Sequence, residues 1–82
     1  MWSVSIDIGL KKGVLDAQGK AIHQALLSLG FTDVKEVRVG KLIELKLEGE
    51  TKEKIDKQVK DMCEKLLANP VIEDYRFKIE EQ

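Results

Sequence analysis

Apolar and charged residues alternate on both sides of a single glycine in Val37-Arg38-Val39-Gly40-Lys41-Leu42-Ile43-Glu44-Leu45-Lys46-Leu47, and this stretch constrains the fold more than any other. A period of two marks a strand with one buried face, and two such runs meeting at Gly40 predict a hairpin. With a two-residue turn, Val39 would oppose Leu42 and Val37 would oppose Glu44, leaving the valines on the wrong side from Ile43, Leu45 and Leu47. With Gly40, Lys41 and Leu42 all in the loop, Val39 pairs with Ile43 and Val37 with Leu45, while Arg38 meets Glu44 and Glu36 meets Lys46 on the other face. Opposite charges facing one another across strands contribute roughly 0.2 to 1 kcal/mol each, and a one-residue slip would turn every side chain over, so a three-residue loop is expected. The turn type stays open, because glycine at the first loop position is unusual there.

The other elements are arranged around that pair. Trp2, Val4, Ile6 and Ile8 alternate with Ser3, Ser5, Asp7 and Gly9 as a half-buried strand, and Tyr75, Phe77 and Ile79 alternate with Arg76, Lys78 and Glu80 as a last one. Asp16 is placed to cap a first helix carrying Ile22, Ala25, Leu26 and Leu29 at helical spacing, with Gly30 just past its end. Thr51 is placed to cap a second, whose stripe is Ile55, Val59, Met62, Cys63 and Leu66. Its outer face sets Glu53 before Lys57, Asp56 before Lys60 and Asp61 before Lys65, each acid one turn ahead of its base. Asn69 and Pro70 end it, since proline disfavours helical geometry in the residue before it.

The order strand, helix, strand, strand, helix, strand predicts an α+β, ferredoxin-like βαββαβ domain over residues 1–82: a four-stranded antiparallel sheet with both helices on one face. Its edges would be Val34 to Val39 and Tyr75 to Ile79, whose unpaired backbone groups call for a partner. The topology brings three connections to one end of the sheet: Gly9 to Leu15, Gly40 to Leu42, and Asn69 to Ile72. That end, with Lys11, Lys12 and Lys41, glycines, Pro70 and exposed apolar residues such as Val14 or Val71, is the candidate working surface.

Composition narrows the function. A chain of 82 residues buries only about 60 to 65% of its unfolded surface, so oligomerisation or a partner is expected. Fourteen basic and fifteen acidic residues, evenly spread for a net charge of −1, make no basic field for nucleic acid. The same fold can bind single-stranded RNA, but through aromatic rings on the open sheet face, and Trp2, Tyr75 and Phe77 have the opposite parity. Cys63, the single cysteine, offers neither a disulfide nor a zinc site and falls in an apolar stripe, where it reads as a small buried hydrophobe. His23 lacks a nearby catalytic neighbour and reads as a surface or boundary residue. Asp7 and the scattered glutamates are explained by alternation and pairing. A small phosphatase of this fold would hold phosphate with an arginine after the first strand, where this chain has Lys11 and Lys12, which lack the planar fork. No metal or cofactor is expected on this chain. No run approaches the 18 or so apolar residues of a membrane span, and a cytoplasmic location is expected.

Three ordered motifs carry a family resemblance: Val14-Leu15-Asp16 with Gln18-Gly19-Lys20; Val37-Arg38-Val39-Gly40-Lys41 with Ile43-Glu44-Leu45; and Cys63-Glu64-Lys65-Leu66-Leu67-Ala68-Asn69-Pro70-Val71-Ile72-Glu73-Asp74-Tyr75. Over nearly the whole chain they resemble PurS, the small subunit of the three-part phosphoribosylformylglycinamidine (FGAM) synthase of purine biosynthesis. Lys12 and Ala17 stand where family members often have proline. The resemblance implies a non-catalytic subunit, a homodimer or homotetramer, that bridges the large ATP-dependent synthase subunit and the glutaminase subunit and helps ammonia from glutamine reach the synthase; ATP, Mg and glutamine are used by the complex. Partner contacts are expected at Lys11, Lys12, Arg38, Gly40, Lys41, Asn69 and Pro70. An alternative is a stand-alone ferredoxin-like module for small-molecule sensing or oligomerisation.

Overall fold

Trp2, Val4, Ile6 and Ile8 are all buried, and the strand that carries them is the middle of the sheet. The computed structural model describes residues 1–82. Its elements are β1 (Trp2–Leu10), α1 (Ala17–Ser28), β2 (Gly40–Leu47), α2 (Lys52–Met62) and β3 (Glu73–Glu81), with a single π-helical turn, Cys63–Leu67, continuing α2. The sheet order is β2-β1-β3, antiparallel throughout. Ile6 lies between Ile43 and Phe77, and Val4 between Leu45 and Ile79. One face is therefore apolar across all three strands, as the alternation predicts. Ile55, Val59 and Cys63 of α2 and its extension are fully buried with β1 on that face. Trp2 closes one end of this core, its indole Nε1 donating to the Gly49 carbonyl at 3.0 Å.

Asp16 caps α1 as expected, accepting from the Gly19 amide. At the far end Gly30 takes φ +99°, and the Gly30 and Phe31 amides donate to Leu27 and Leu26. Those two bonds satisfy orphan carbonyls in the manner of a Schellman motif, which needs a left-handed residue where Gly30 stands. Thr51 caps α2 through the Lys54 amide.

The sheet has three strands, not four. Val34 to Val39 pairs with no strand, so the pairs Val39 with Ile43, Val37 with Leu45, Arg38 with Glu44 and Glu36 with Lys46 are absent within the chain, as is the three-residue loop. A tight loop there would need a left-handed residue, and only Gly13 and Gly30 have positive φ. The chain instead enters β2 at Gly40 without a turn of that kind, and the strand edges are β2 and β3. A second correction follows from the first. Residues 11 to 39 form an arm reaching beyond the sheet, so α1 does not cover the sheet face: Gly19 is its one buried residue, and Leu29 is 74% exposed.

The expected stripe of α2 holds through Cys63 and then slips. The π turn, closed by the Ala68 amide on the Cys63 carbonyl at 2.9 Å, inserts one residue into the helical period. Leu67 and Ala68 come over the core in place of Leu66, which is 83% exposed. On the outer face Asp56–Lys60 and Asp61–Lys65 form at 3.1 Å each, whereas Lys54 pairs with Glu50 and no Glu53–Lys57 pair forms.

Candidate functional site

Gly9 opposes Gly40 across one edge of β1, and Leu10 opposes Glu73 across the other, so the three connections meet at one end of the sheet. The route differs from the expected hairpin, but the meeting point is the same. The Lys11 amide donates to the Ile72 carbonyl at 2.8 Å and joins the first connection to the third. Beside the first two connections and the start of β3 lies an open cleft of about 720 Å³. Asp7, Arg38, Gly40, Lys41, Tyr75 and Arg76 contribute to its walls.

Asp16 organises the near side. One carboxylate oxygen takes the Gly19 amide and the other the Val39 amide, each at 2.8 Å, so a single buried side chain caps α1 and grips the residue entering β2. Arg38 Nε lies 3.9 Å from the same carboxylate, and its guanidinium donates to the Leu10 carbonyl at 3.1 Å and the Lys11 carbonyl at 3.5 Å. These amide bonds, with Arg38 adding to them, hold the Asp16 carboxyl below its ordinary range against the opposing effect of burial. Gly19 lets the segments approach: a Cβ there would fall 2.6 Å from the Val37 carbonyl oxygen. His23 Nε2 lies 2.7 Å from the Val34 carbonyl, which ties the arm together lower down.

Glu73 organises the far side. It accepts the Asn69 amide at 2.7 Å, and its other oxygen meets Lys41 Nζ at 3.5 Å. The amide bond is the main cause of a lowered Glu73 carboxyl, with Lys41 contributing. The Asn69 side chain accepts from the Val71 amide at 3.1 Å, and its carbonyl accepts from the Glu73 amide at 2.7 Å, so Asn69 and Pro70 sit in a stiff turn. Val71, at the tip, is 78% exposed.

Of the residues singled out from the sequence, Lys11, Arg38, Gly40, Lys41, Asn69 and Pro70 therefore gather in or beside this cluster, and Lys12 stands exposed on the adjoining turn. Several are committed to the chain itself. A Cβ at Gly40 would lie 2.6 Å from the Ile8 carbonyl oxygen, so the close backbone approach it permits is to β1. Arg38 fastens carbonyls, and Lys41 is paired. Asp16 and Glu73, the two carboxylates that set the geometry, escaped the sequence reading: Asp16 showed as a helix cap only, and the reach from Glu73 back to Asn69 depends on a turn whose shape no periodicity reveals. No group of three or more His, Cys, Asp or Glu side chains converges in a way that could hold a metal.

A three-stranded antiparallel sheet backed by a helix, with carboxylates that bond its loops to one another, defines a small α+β domain. The profile of the family PurS, phosphoribosylformylglycinamidine (FGAM) synthase, matches residues 3–81. The PurS subunit of phosphoribosylformylglycinamidine synthase from Methanocaldococcus jannaschii is 51% identical over 80 residues, covering 98% of this chain and 96% of the relative. The crystal structure of that organism's PurS, described as one of the subunits of formylglycinamide ribonucleotide amidotransferase in the purine biosynthetic pathway, superposes with a TM-score of 0.92 at 49% identity, covering 100% of this chain and 99% of the other. A chain of the PurLQS structure from Thermotoga maritima superposes with a TM-score of 0.89 at 38% identity, covering 96% of each. The chain belongs to the PurS family, subunits of FGAM synthase in purine biosynthesis.

Proposed function

We propose that this chain, taken over residues 1–82 as one unit, is the contact-making subunit of an FGAM synthase complex. It bridges the ATP-dependent synthase subunit and the glutaminase subunit, and it assists the passage of ammonia between them. The observation that carries the reading is the near full-length likeness to PurS chains, one of them from an assembly described as PurLQS. The loop cluster supplies a physical means: carboxylates bonded within the chain hold three connections rigid, so a partner meets a preformed surface with little ordering cost. Lys11, Lys12, Arg38, Gly40, Lys41, Asn69 and Pro70 are the contact residues we assign.

ATP, Mg and glutamine belong to the larger subunits in this reading. The carboxylates of the cluster do not suit magnesium, because Asp16 is held by the Gly19 and Val39 amides and Glu73 by the Asn69 amide and Lys41. The chain acts as a homodimer or homotetramer, and the reading carries with it a cytoplasmic location; no helix is long and apolar enough to cross a membrane.

Mixing the chain with purified synthase and glutaminase subunits, in the presence of glutamine and nucleotide, tests the bridge by light scattering. One species containing all three is expected, and a Lys41→Glu/Asn69→Ala variant should weaken it at least tenfold. A stable pair of the larger subunits that excludes this chain would overturn the reading.

A further inference from the structure

On the sheet face away from α2, residues line up in rows across the three strands. Leu42, Asp7 and Arg76 make one row, and Gly40, Gly9 and Asp74 make the next. Two adjacent glycines leave that second row without side chains over β2 and β1, so the floor of the open cleft is bare backbone. Gly40 is needed by the chain itself, because a Cβ there would fall 2.6 Å from the Ile8 carbonyl oxygen. Gly9 is not. Its φ is not positive, and a Cβ on it would meet nothing within 4 Å. Glycine weakens a strand, and where the chain gives no reason for it, it marks a place that something else approaches closely. The walls around this floor carry unspent charge of both signs. Asp7 and Arg76 are direct neighbours across β1 and β3, yet neither forms an ion pair, and Asp74 forms none either. Arg38 is pinned through Nη2 by the Leu10 and Lys11 carbonyls and lies near Asp16 at Nε, which leaves Nη1 without a partner in the chain. Lys41 is already neutralised by Glu73.

We propose that this cleft binds a free α-amino acid. Its carboxylate meets Arg76 and Arg38 Nη1, since the planar guanidinium fork matches a carboxylate in geometry as well as charge. Its ammonium group meets Asp7 and Asp74, and its side chain lies over the Gly9 and Gly40 peptides beside Leu42, which is 59% exposed. The balance of charge selects this class. A phosphate ester would set its second negative charge against Asp7 and Asp74, whereas a zwitterion answers both signs at once. The last step rests on the FGAM synthase reading, which narrows the amino acid to the nitrogen donor glutamine or the glutamate left when its amide nitrogen is removed. Glutamine is the better fit, because its side chain adds no further negative charge beside the two aspartates.

Titration of the isotope-labelled intact chain with L-glutamine tests this through the backbone amide resonances of Asp7, Gly9, Gly40 and Arg76. Saturable shifts centred on those residues are expected, with a Kd of the order of 1 mM for so small a ligand. Glutamine lacking its amino group, and glutamine with its α-carboxylate converted to an amide, should each bind at least about tenfold more weakly, as should glutamine itself to Arg76→Gln. Gly9→Val should abolish binding while melting no lower than the parent, because its side chain enters open space. Absence of saturable shifts at these residues, equal binding of the analogue without an amino group, or displacement of glutamine by an equal concentration of inorganic phosphate would overturn the proposal. L-glutamate binding more tightly than L-glutamine would overturn the choice between the two. The outcome is separable from the bridge. A three-subunit species that forms although glutamine leaves the isolated chain unshifted would end this proposal alone, and glutamine binding by a chain that joins no such species would end the bridge alone.

Discussion

Replacing Gly19 by alanine separates helix propensity from the architecture of the arm. In an ordinary helix interior the change stabilises by about 0.5 to 1 kcal/mol, because glycine loses more backbone freedom on folding. Here the new Cβ would fall 2.6 Å from the Val37 carbonyl oxygen and 2.6 Å from Asp16 Oδ2. Neither atom is the tip of a free side chain: one is backbone, and the other is held by the Val39 amide at 2.8 Å. The first turn of α1 and the segment around Val37 must separate by several tenths of an ångström. Overpacking of this kind costs about 1 to 3 kcal/mol. Its upper range applies where backbone must move, so after the propensity gain a net loss of about 1 to 2 kcal/mol remains. For a chain of this size that lowers Tm by roughly 5 to 15 °C. Circular-dichroism melts at fixed protein concentration measure it, with Ala25→Gly, at an exposed position of the same helix, as the control losing about 1 kcal/mol. A Gly19→Ala variant that melts higher than the parent would refute the close approach of α1 to Val37.

Acid should loosen both the arm, through Asp16, and the turn at Asn69, through Glu73. The carboxyls of Asp16 and Glu73 are held below their ordinary values of 3.8 and 4.5, so the stability they contribute is full above those values and is lost as pH falls through the depressed folded ones. Asp16→Asn, which cannot titrate, should flatten the acid limb of a Tm-against-pH curve, and an unchanged limb would contradict the bonding at Asp16. The buried Cys63 thiol is raised by burial, with Glu64 adding to it; native protein should react with a disulfide reagent at least a hundredfold more slowly than protein in guanidinium. Leu66→Ala should stay within about 0.5 kcal/mol of the parent while Leu67→Ala loses about 1 kcal/mol or more, the reverse of what an uninterrupted helix would give.

Much of this architecture is legible in the residues. The parity of β1, β2 and β3, the caps at Asp16 and Thr51 and the stop at Gly30 each depend on neighbours a few positions apart, so local pattern suffices. The slip at Leu66 was hidden because a π turn leaves no mark on apolar spacing before the fact. The hairpin misled for a deeper reason. Alternation from Val37 to Leu47 specifies which faces are apolar, but not that the two runs fold back on one another; that depends on the backbone at Gly40 and on Asp16, 23 residues before Val39. The convergence of the loop cluster survived the error, since the antiparallel order alone brings the end of β1 beside the starts of β2 and β3. What the loops do to one another was not legible, because Glu73 reaches Asn69 and Arg38 reaches Leu10 only once the fold exists.

A chain that lets nitrogen from glutamine be used by another subunit must show itself in FGAM formation from the large and glutaminase subunits, assayed with and without the chain, using glutamine or ammonia as nitrogen source. The glutamine-dependent rate should fall severely without the chain while the ammonia-dependent rate is little changed. Equal glutamine-dependent rates with and without it would contradict the bridging role, and the small-molecule-sensing module would take its place.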